Sequence, residues 1–155
     1  MRLFFYGTLL DADLRALVLG RVLPACDFHP AELRHFRRVC IAGRRYPMIL
    51  PHRGGSVAGA VAERLSQADM ARLCRYEGDD YRLERQTVFV ADGDAGAAAL
   101  PHAAWLFRGR PTTRSSGRDW DLALWQARDK AAYLRDLRDW LARRPAADPS
   151  ANDRP

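Results

Sequence analysis

Residues 2–20 read RLFFYGTLLDADLRALVLG, and the fold turns on what they begin. A short apolar run rich in aromatics stops on Tyr6-Gly7-Thr8, and a helical pattern starts just past Asp11. The run's length and its glycine indicate a buried strand closing in a tight turn. Asp11 suits a helix N-cap, Leu14, Leu17 and Val18 recur at helical spacing, and Gly20 suits a C-cap. A strand feeding directly into a helix is also how a doubly wound parallel sheet starts. The question is whether the alternation continues.

It does not. Residues 22–41 read as strand, although Leu33, His35, Arg37 and Val39 on one side and Arg34, Phe36, Arg38 and Cys40 on the other leave neither side cleanly apolar. In AGRRYPMILP (42–51, with Pro47 and Pro51), the prolines point to an edge strand or extended loop. HRGG (52–55) reads as a turn and SVAGAVAERL (56–65) as another strand. Ser66 then opens a helix whose face is Met70, Leu73 and Cys74, closing at Gly78. DDYRLERQTVFVAD (79–92) is a strand, GDAGAAALPH (93–102) a hairpin loop, and AAWLFRG (103–109) the last strand. Residues 118–144 read as one long helix with a face of Trp120, Leu124, Ala127, Ala131, Leu134, Leu137 and Leu141, broadened by Trp125, Tyr133 and Trp140. Strands clustered between few helices exclude the doubly wound sheet and indicate an α+β fold, a twisted and largely closed sheet with helices packed outside. Residues 1–142 form a single expected domain, and 143–155 (RRPAADPSANDRP) have the composition of a disordered tail.

Net charge is +6 and the pI about 9.8, which invites a nucleic-acid reading. However, Lys130 is the only lysine, so the charge is almost all arginine, and alanine is abundant. That pairing matches a GC-rich genome and needs no phosphate to explain it. The expectation is no nucleic-acid partner. Cys26, Cys40 and Cys74 have neither C-x-x-C nor zinc-ligand spacing and read as reduced, buried thiols. No stretch approaches the roughly 20 apolar residues of a membrane span, so no membrane association and a cytoplasmic location are expected.

Motifs that carry chemistry are mostly missing. G-x-x-x-x-G-K-[ST], G-x-G-x-x-G and G-x-S-x-G are absent, and Ser115-Ser116-Gly117 reads as a loop and helix cap. The four histidines, His29, His35, His52 and His102, form no close pair and suggest no metal. Two features remain. Glu77 stands at the end of an amphipathic helix, where the helix dipole and apolar neighbours both raise a carboxyl pKa toward the range of a general acid or base. A solvated surface glutamate is the alternative. Tyr81, four residues on, is placed to orient Glu77 or to line the same pocket. Gly7 permits close approach to backbone N–H groups that can cradle a carboxylate, and an ordinary tight turn is the alternative there.

FFYGTLL (4–10), GRRYPMIL (43–50), VAGAVAERL (57–65) and LCRYEGDDYRLERQTVFV (73–90), in that order, resemble the gamma-glutamylcyclotransferase-like family. The resemblance is greatest to the branch named for plant avirulence-induced proteins, which has many bacterial members. It covers about residues 3–108 and implies a small mixed β-barrel with flanking helices. It also implies an enzyme that releases 5-oxoproline from a γ-glutamyl amine or amino acid. On this resemblance Tyr6, Gly7, Thr8 and Leu9 bind the amino-acid end of the substrate, Glu77 is the catalytic acid/base, and Tyr81 matches a tyrosine of the pocket. No cofactor and no metal are implied, and a monomer or weak dimer is expected. Arg45, Tyr46 and Pro47 lie in a matching segment without an assigned role. Two other readings stand beside it. One is the same fold retuned to another amide. The other is a non-catalytic binding protein using the basic stretch Arg34, Arg37, Arg38, Arg44 and Arg45.

Overall fold

The computed structural model describes residues 1–91 and 98–143. Residues 93–97 of the expected 93–102 loop, and the expected tail beyond Arg143, lie outside the described residues, whereas 100–102 of that loop are strand. The elements run β1 (Leu3–Phe5), α1 (Ala12–Leu19), β2 (Phe28–Ile41), β3 (Pro47–Ala62), α2 (Gln67–Glu77), β4 (Tyr81–Val90), β5 (Leu100–Gly109), β6 (Ser115–Asp119), α3 (Leu122–Arg128) and α4 (Lys130–Arg143). Five strands close on themselves in the order β3-β1-β5-β4-β2 and back to β3, and β6 is added to β2 outside the ring. The β1–β5 pairing is parallel and the others are antiparallel, which makes the barrel mixed.

The long hairpin β2–β3 explains why residues 22–41 show no clean alternation. Pairing runs Phe28↔Ala62 to Arg34↔Ser56, breaks, and resumes at Phe36↔Pro51. His35, at φ 65°, stands alone against residues 52–55. A bulge reverses which side chains face the core. Ala31 and Leu33 point into the barrel before it, and Phe36 packs there after it, while Val39 and Ile41 face the helices. HRGG is therefore not a turn that ends a strand. It is the bulged middle of one strand from Pro47 to Ala62, with Gly54 at φ 78°. The edge-strand reading of 47–51 holds, because that half pairs with β2 alone and leaves its other edge open to prolines without an N–H.

Three further expectations are corrected. Residues 115–119 form β6, not a loop and cap, since Val39↔Asp119 and Ile41↔Ser115 extend the sheet. The helix after it starts one turn later, capped by the Asp121 carboxylate on Leu124 N–H. It also breaks at Asp129, which shifts the phase of its apolar stripe. Leu124 is exposed, while Trp125, Tyr133, Leu137 and Trp140 are buried. The cysteines are free but not buried: Cys26 and Cys74 are exposed and Cys40 is half-buried.

The helix ends match the local signals. Asp11 accepts from Asp13 and Leu14 N–H, and Gly20 caps α1 at φ 67°. Ser66 and Asp69 form a reciprocal capping box on α2. Arg21 grips the buried Asp69 carboxylate at 2.7 and 3.1 Å and, with the Ser66 hydrogen bonds, holds that carboxyl far below its ordinary pKa against the opposing effect of burial. Apolar side chains segregate into two layers, one filling the barrel and the other lying between the barrel and the helices. Among the described residues no helix is long and apolar enough to cross a membrane.

Candidate active site

β1 ends at Phe5, and its alternation carries Tyr6 into the barrel, where its hydroxyl donates to Phe107 C=O. Gly7 follows at φ −118°, ψ −145°, so it is not glycine for the sake of a left-handed backbone. It is glycine for space: a Cβ there would lie 3.0 Å from the Pro47 ring. Residues 8–10 then make one 3-10 turn, and Asp11 begins α1.

Every carbonyl of this loop is held from behind. Arg38 Nη1 donates to Tyr6 O at 2.7 Å, Leu10 N–H to Gly7 O at 3.0 Å, and Asp11 N–H to Thr8 O at 2.9 Å. Arg15 Nη1 donates to Leu9 O and Leu10 O at 2.9 and 3.1 Å. The acceptors are thus turned away and consumed, and the first N–H groups of a 3-10 turn have no partner within it. The loop presents donors, with two guanidinium groups close behind. That arrangement favours an anion. Burial lowers the pKa of both arginines from the usual value. The remainder of Arg38 is equally committed: Nε donates to Trp120 O at 3.3 Å and the guanidinium lies 5.0 Å from the Trp120 ring centre.

The exit of the loop is clamped by the C-terminal helices. Asp11 is 2 % exposed and receives Gln126 Nε2 and Lys130 Nζ, each at 2.7 Å. Burial alone would raise its pKa, but the Lys130, Gln126 and Leu14 hydrogen bonds outweigh it and the net direction is down. The single lysine, just past the break at Asp129, reaches both Asp11 and Asp13.

Glu77, the last residue of α2, is 8 % exposed, not the solvated surface glutamate that the sequence also allowed. It lines one pocket with Tyr6, Gly7, Thr8, Leu9 and Tyr81, so all six candidate residues come together. Phe4, Phe5, Tyr46, Pro47 and Phe107 complete the wall. The Tyr81 hydroxyl donates to Pro47 C=O, Tyr46 donates to Asp80 Oδ2 at 2.9 Å, and Thr8 Oγ1, Tyr76 OH and Tyr133 OH form a chain at 3.2 and 2.9 Å. The space within is about 20 Å³, room for roughly one water. Among the described residues no cluster of histidine, cysteine and carboxylate side chains could hold a metal.

Sequence reasoning missed Arg15, Tyr76 and Phe107, and the placement of Arg38. Arg38 was hidden inside the basic stretch, and only the His35 bulge turns it inward. Its neighbours are occupied within the chain. Arg34 lies 3.6 Å over the Phe89 ring, Arg37 binds Asp119 at 3.0 Å, and Arg45 reaches Asp136 at 3.3 Å. Tyr46 and Pro47 were flagged without a role, and both prove to be pocket wall, whereas Arg45 does not line it.

Comparison with known proteins shows the family and the fold. The family model described as "Gamma-glutamyl cyclotransferase, AIG2-like" matches residues 3–126. Protein AIG2 C of Arabidopsis thaliana is 30% identical over 139 residues, covering 89% of this chain and 79% of its own. AIG2-like protein C of the same plant is 29% identical over 142 residues, covering 92% and 78%. A solution structure of an Arabidopsis thaliana protein superposes with a TM-score of 0.61 at 23% identity, covering 98% of this chain and 94% of that one, and shares the fold.

Proposed function

The chain belongs to the gamma-glutamyl cyclotransferase, AIG2-like family, and on that basis we propose that it releases 5-oxoproline from a γ-glutamyl amine or amino acid. The observation that carries the proposal is a buried carboxylate, Glu77, in one pocket with a loop that offers backbone donors and no free carbonyl.

The substrate α-carboxylate binds the Gly7–Leu9 N–H groups. Its α-amine, a protonated ammonium in water, cannot attack until it loses a proton, and Glu77 takes that proton. The freed nitrogen attacks the γ-carbonyl carbon and closes a five-membered lactam. The tetrahedral intermediate collapses by breaking the bond to the leaving nitrogen, which Glu77 protonates. The amine nitrogen sheds two protons in becoming the lactam N–H, and the leaving group departs as an ammonium ion carrying both. No water is consumed and no acyl-enzyme forms. Ring closure is intramolecular, so holding the glutamyl chain folded supplies much of the acceleration. A γ-glutamyl head exceeds one water in size, so binding requires the Pro47 and Tyr46 side of the pocket to withdraw from Gly7.

A panel of γ-glutamyl amines and amino acids, assayed for 5-oxoproline, tests the proposal. Turnover on at least one compound is expected. Glu77→Gln should reduce it by about 10²–10⁴-fold with a normal melting temperature. Absence of turnover across the panel, or full activity in Glu77→Gln, would overturn it.

A further inference from the structure

Lys130 is the only lysine among the chain's 25 Lys and Arg residues, so a single ammonium group stands among guanidinium groups. It opens α4, and its Nζ lies 2.7 Å from Asp11 Oδ2 and 2.7 Å from Asp13 Oδ2. The two arms differ in kind. The Asp13 side chain is 71 % exposed, and an ion pair in solvent contributes little. The Asp11 side chain is 2 % exposed. A buried carboxylate that loses its cation must stay uncompensated or move. Pairs such as Arg37–Asp119 and Arg45–Asp136 are exposed on both sides and carry no such penalty.

Asp11 cannot move alone. Its N–H donates to Thr8 O at 2.9 Å and closes the 3-10 turn of residues 8–10. Its Oδ1 accepts from Asp13 N–H and Leu14 N–H, each at 3.1 Å, and starts α1. Its Oδ2 accepts from Gln126 Nε2 and Lys130 Nζ, each at 2.7 Å. One oxygen therefore serves the helix and the other the clamp. Gln126 brings a hydrogen bond without a charge, so Lys130 alone neutralises the carboxylate from this side. The turn that Asp11 closes belongs to the loop that shares a pocket with Glu77. A carboxylate that swings away would carry with it the N–H that closes the turn.

We propose that Lys130 is a positioning residue for the loop that receives the substrate carboxylate. By neutralising buried Asp11 it holds the 3-10 turn in the form that presents the Gly7–Leu9 N–H groups. It acts on the substrate only through Asp11. The kinetic consequence rests on the cyclotransferase reading, and the ordering of the loop does not.

Two measurements on Lys130→Met in the full-length protein test this. The first is amide hydrogen exchange without ligand. Exchange at Leu10 and Asp11, whose N–H groups bond to Gly7 O and Thr8 O, should quicken at least about tenfold, a change the amides of β4 and β5 do not share. The second is steady-state kinetics on the γ-glutamyl compound that the panel shows to be turned over fastest. KM should rise about three- to tenfold while kcat changes less than about twofold, because displaced donors weaken carboxylate binding. A helix tether with no positioning role would lower the melting temperature and leave the KM of folded protein as it was. Asp13→Asn removes only the exposed arm and should change KM less than about twofold. Asp11→Asn keeps a competent N-cap without the charge. In that background Lys130→Met should add less than about twofold, since the pair acts as a unit. Should Lys130→Met not fold, Lys130→Gln keeps a donor to Asp11 and reads the same quantities. Unchanged KM, an equal effect in Asp13→Asn, full additivity with Asp11→Asn, or exchange that quickens equally across the barrel would overturn the proposal. If no γ-glutamyl compound is turned over, the cyclotransferase reading fails and the exchange measurement alone decides this one.

Discussion

The two apolar layers differ in kind. Inside the barrel lie Phe4, Ala31, Leu33, Ile49, Val57, Val61, Val88, Ala104 and Leu106, and the one hydroxyl in that cluster, on Tyr6, ends on a backbone carbonyl. The outer layer carries Tyr46, Tyr76, Tyr81 and Tyr133 with three tryptophans, and helix α2 ends in it at Glu77. A five-stranded barrel is too narrow to enclose more than its own side chains, so its interior acts as a frame. Helix ends can bring polar groups to a buried place without interrupting a ladder. β1 serves both layers, sending Phe4 and Tyr6 inward and Leu3 and Phe5 outward, and the pocket opens where it stops. Chemistry is expected at the seam and in the outer layer, and stability from the interior.

The largest effect should come from the frame. Leu106 is fully buried inside the barrel. Leu106→Ala should cost about 2–5 kcal/mol and lower the melting temperature by roughly 6–15 °C, while kcat/KM of the protein that remains folded changes less than about twofold. Thermal unfolding with activity normalised to folded protein reads both. A stable variant with impaired turnover would reverse the assignment of roles.

Arg38 tests the seam. It crosses from β2 to the Tyr6 carbonyl, and its loss frees an acceptor of the loop proposed to bind the substrate carboxylate. Arg38→Met should destabilise by about 2 kcal/mol, since hydrogen bonds from a charged donor are worth about 1.5–3 kcal/mol. On a γ-glutamyl substrate it should raise KM about tenfold with kcat reduced less, because binding of the carboxylate is what the misplaced donors weaken. A fall in kcat alone, with KM unchanged, would remove Arg38 from substrate positioning.

How far these layers could be foreseen depended on the range of the forces involved. The caps at Asp11, Gly20, Ser66 and Gly78 were legible because each is decided within a few residues. Glu77 was legible as a suspicious position, a carboxylate at a helix C-terminus, and Tyr6–Leu9 as a glycine turn before a helix. The link between them came from the family resemblance, because nothing local reports that two segments about 70 residues apart share a wall. The His35 bulge was illegible. A histidine with positive φ carries no sequence signature, and its cause is the break in pairing where it alone faces the four residues 52–55 across a long hairpin. Losing the bulge also meant losing Arg38, whose direction depends on it. β6 was missed for a related reason. SSGRD is polar, and it becomes a strand only because β2 offers it an edge.

The smallest expected effect probes the outer layer most directly. Tyr133→Phe deletes one hydroxyl at the far end of the chain that reaches Thr8 through Tyr76, and leaves the ring packed against Trp125 and Tyr46. A buried hydroxyl hydrogen bond contributes about 0.5–1.5 kcal/mol, so the change in melting temperature should be a few degrees at most. Its consequence for turnover should be disproportionate. Tyr76, without the Tyr133 hydroxyl, holds the Thr8 side chain less firmly, and the turn that presents the loop's donors gains freedom. A several-fold loss in kcat/KM at nearly unchanged stability is the expected signature, measured on the substrate found best in the panel. The frame variant Leu106→Ala should show the opposite ratio. If the two variants instead lose stability and turnover in the same proportion, the division between a framing interior and a working outer layer does not hold.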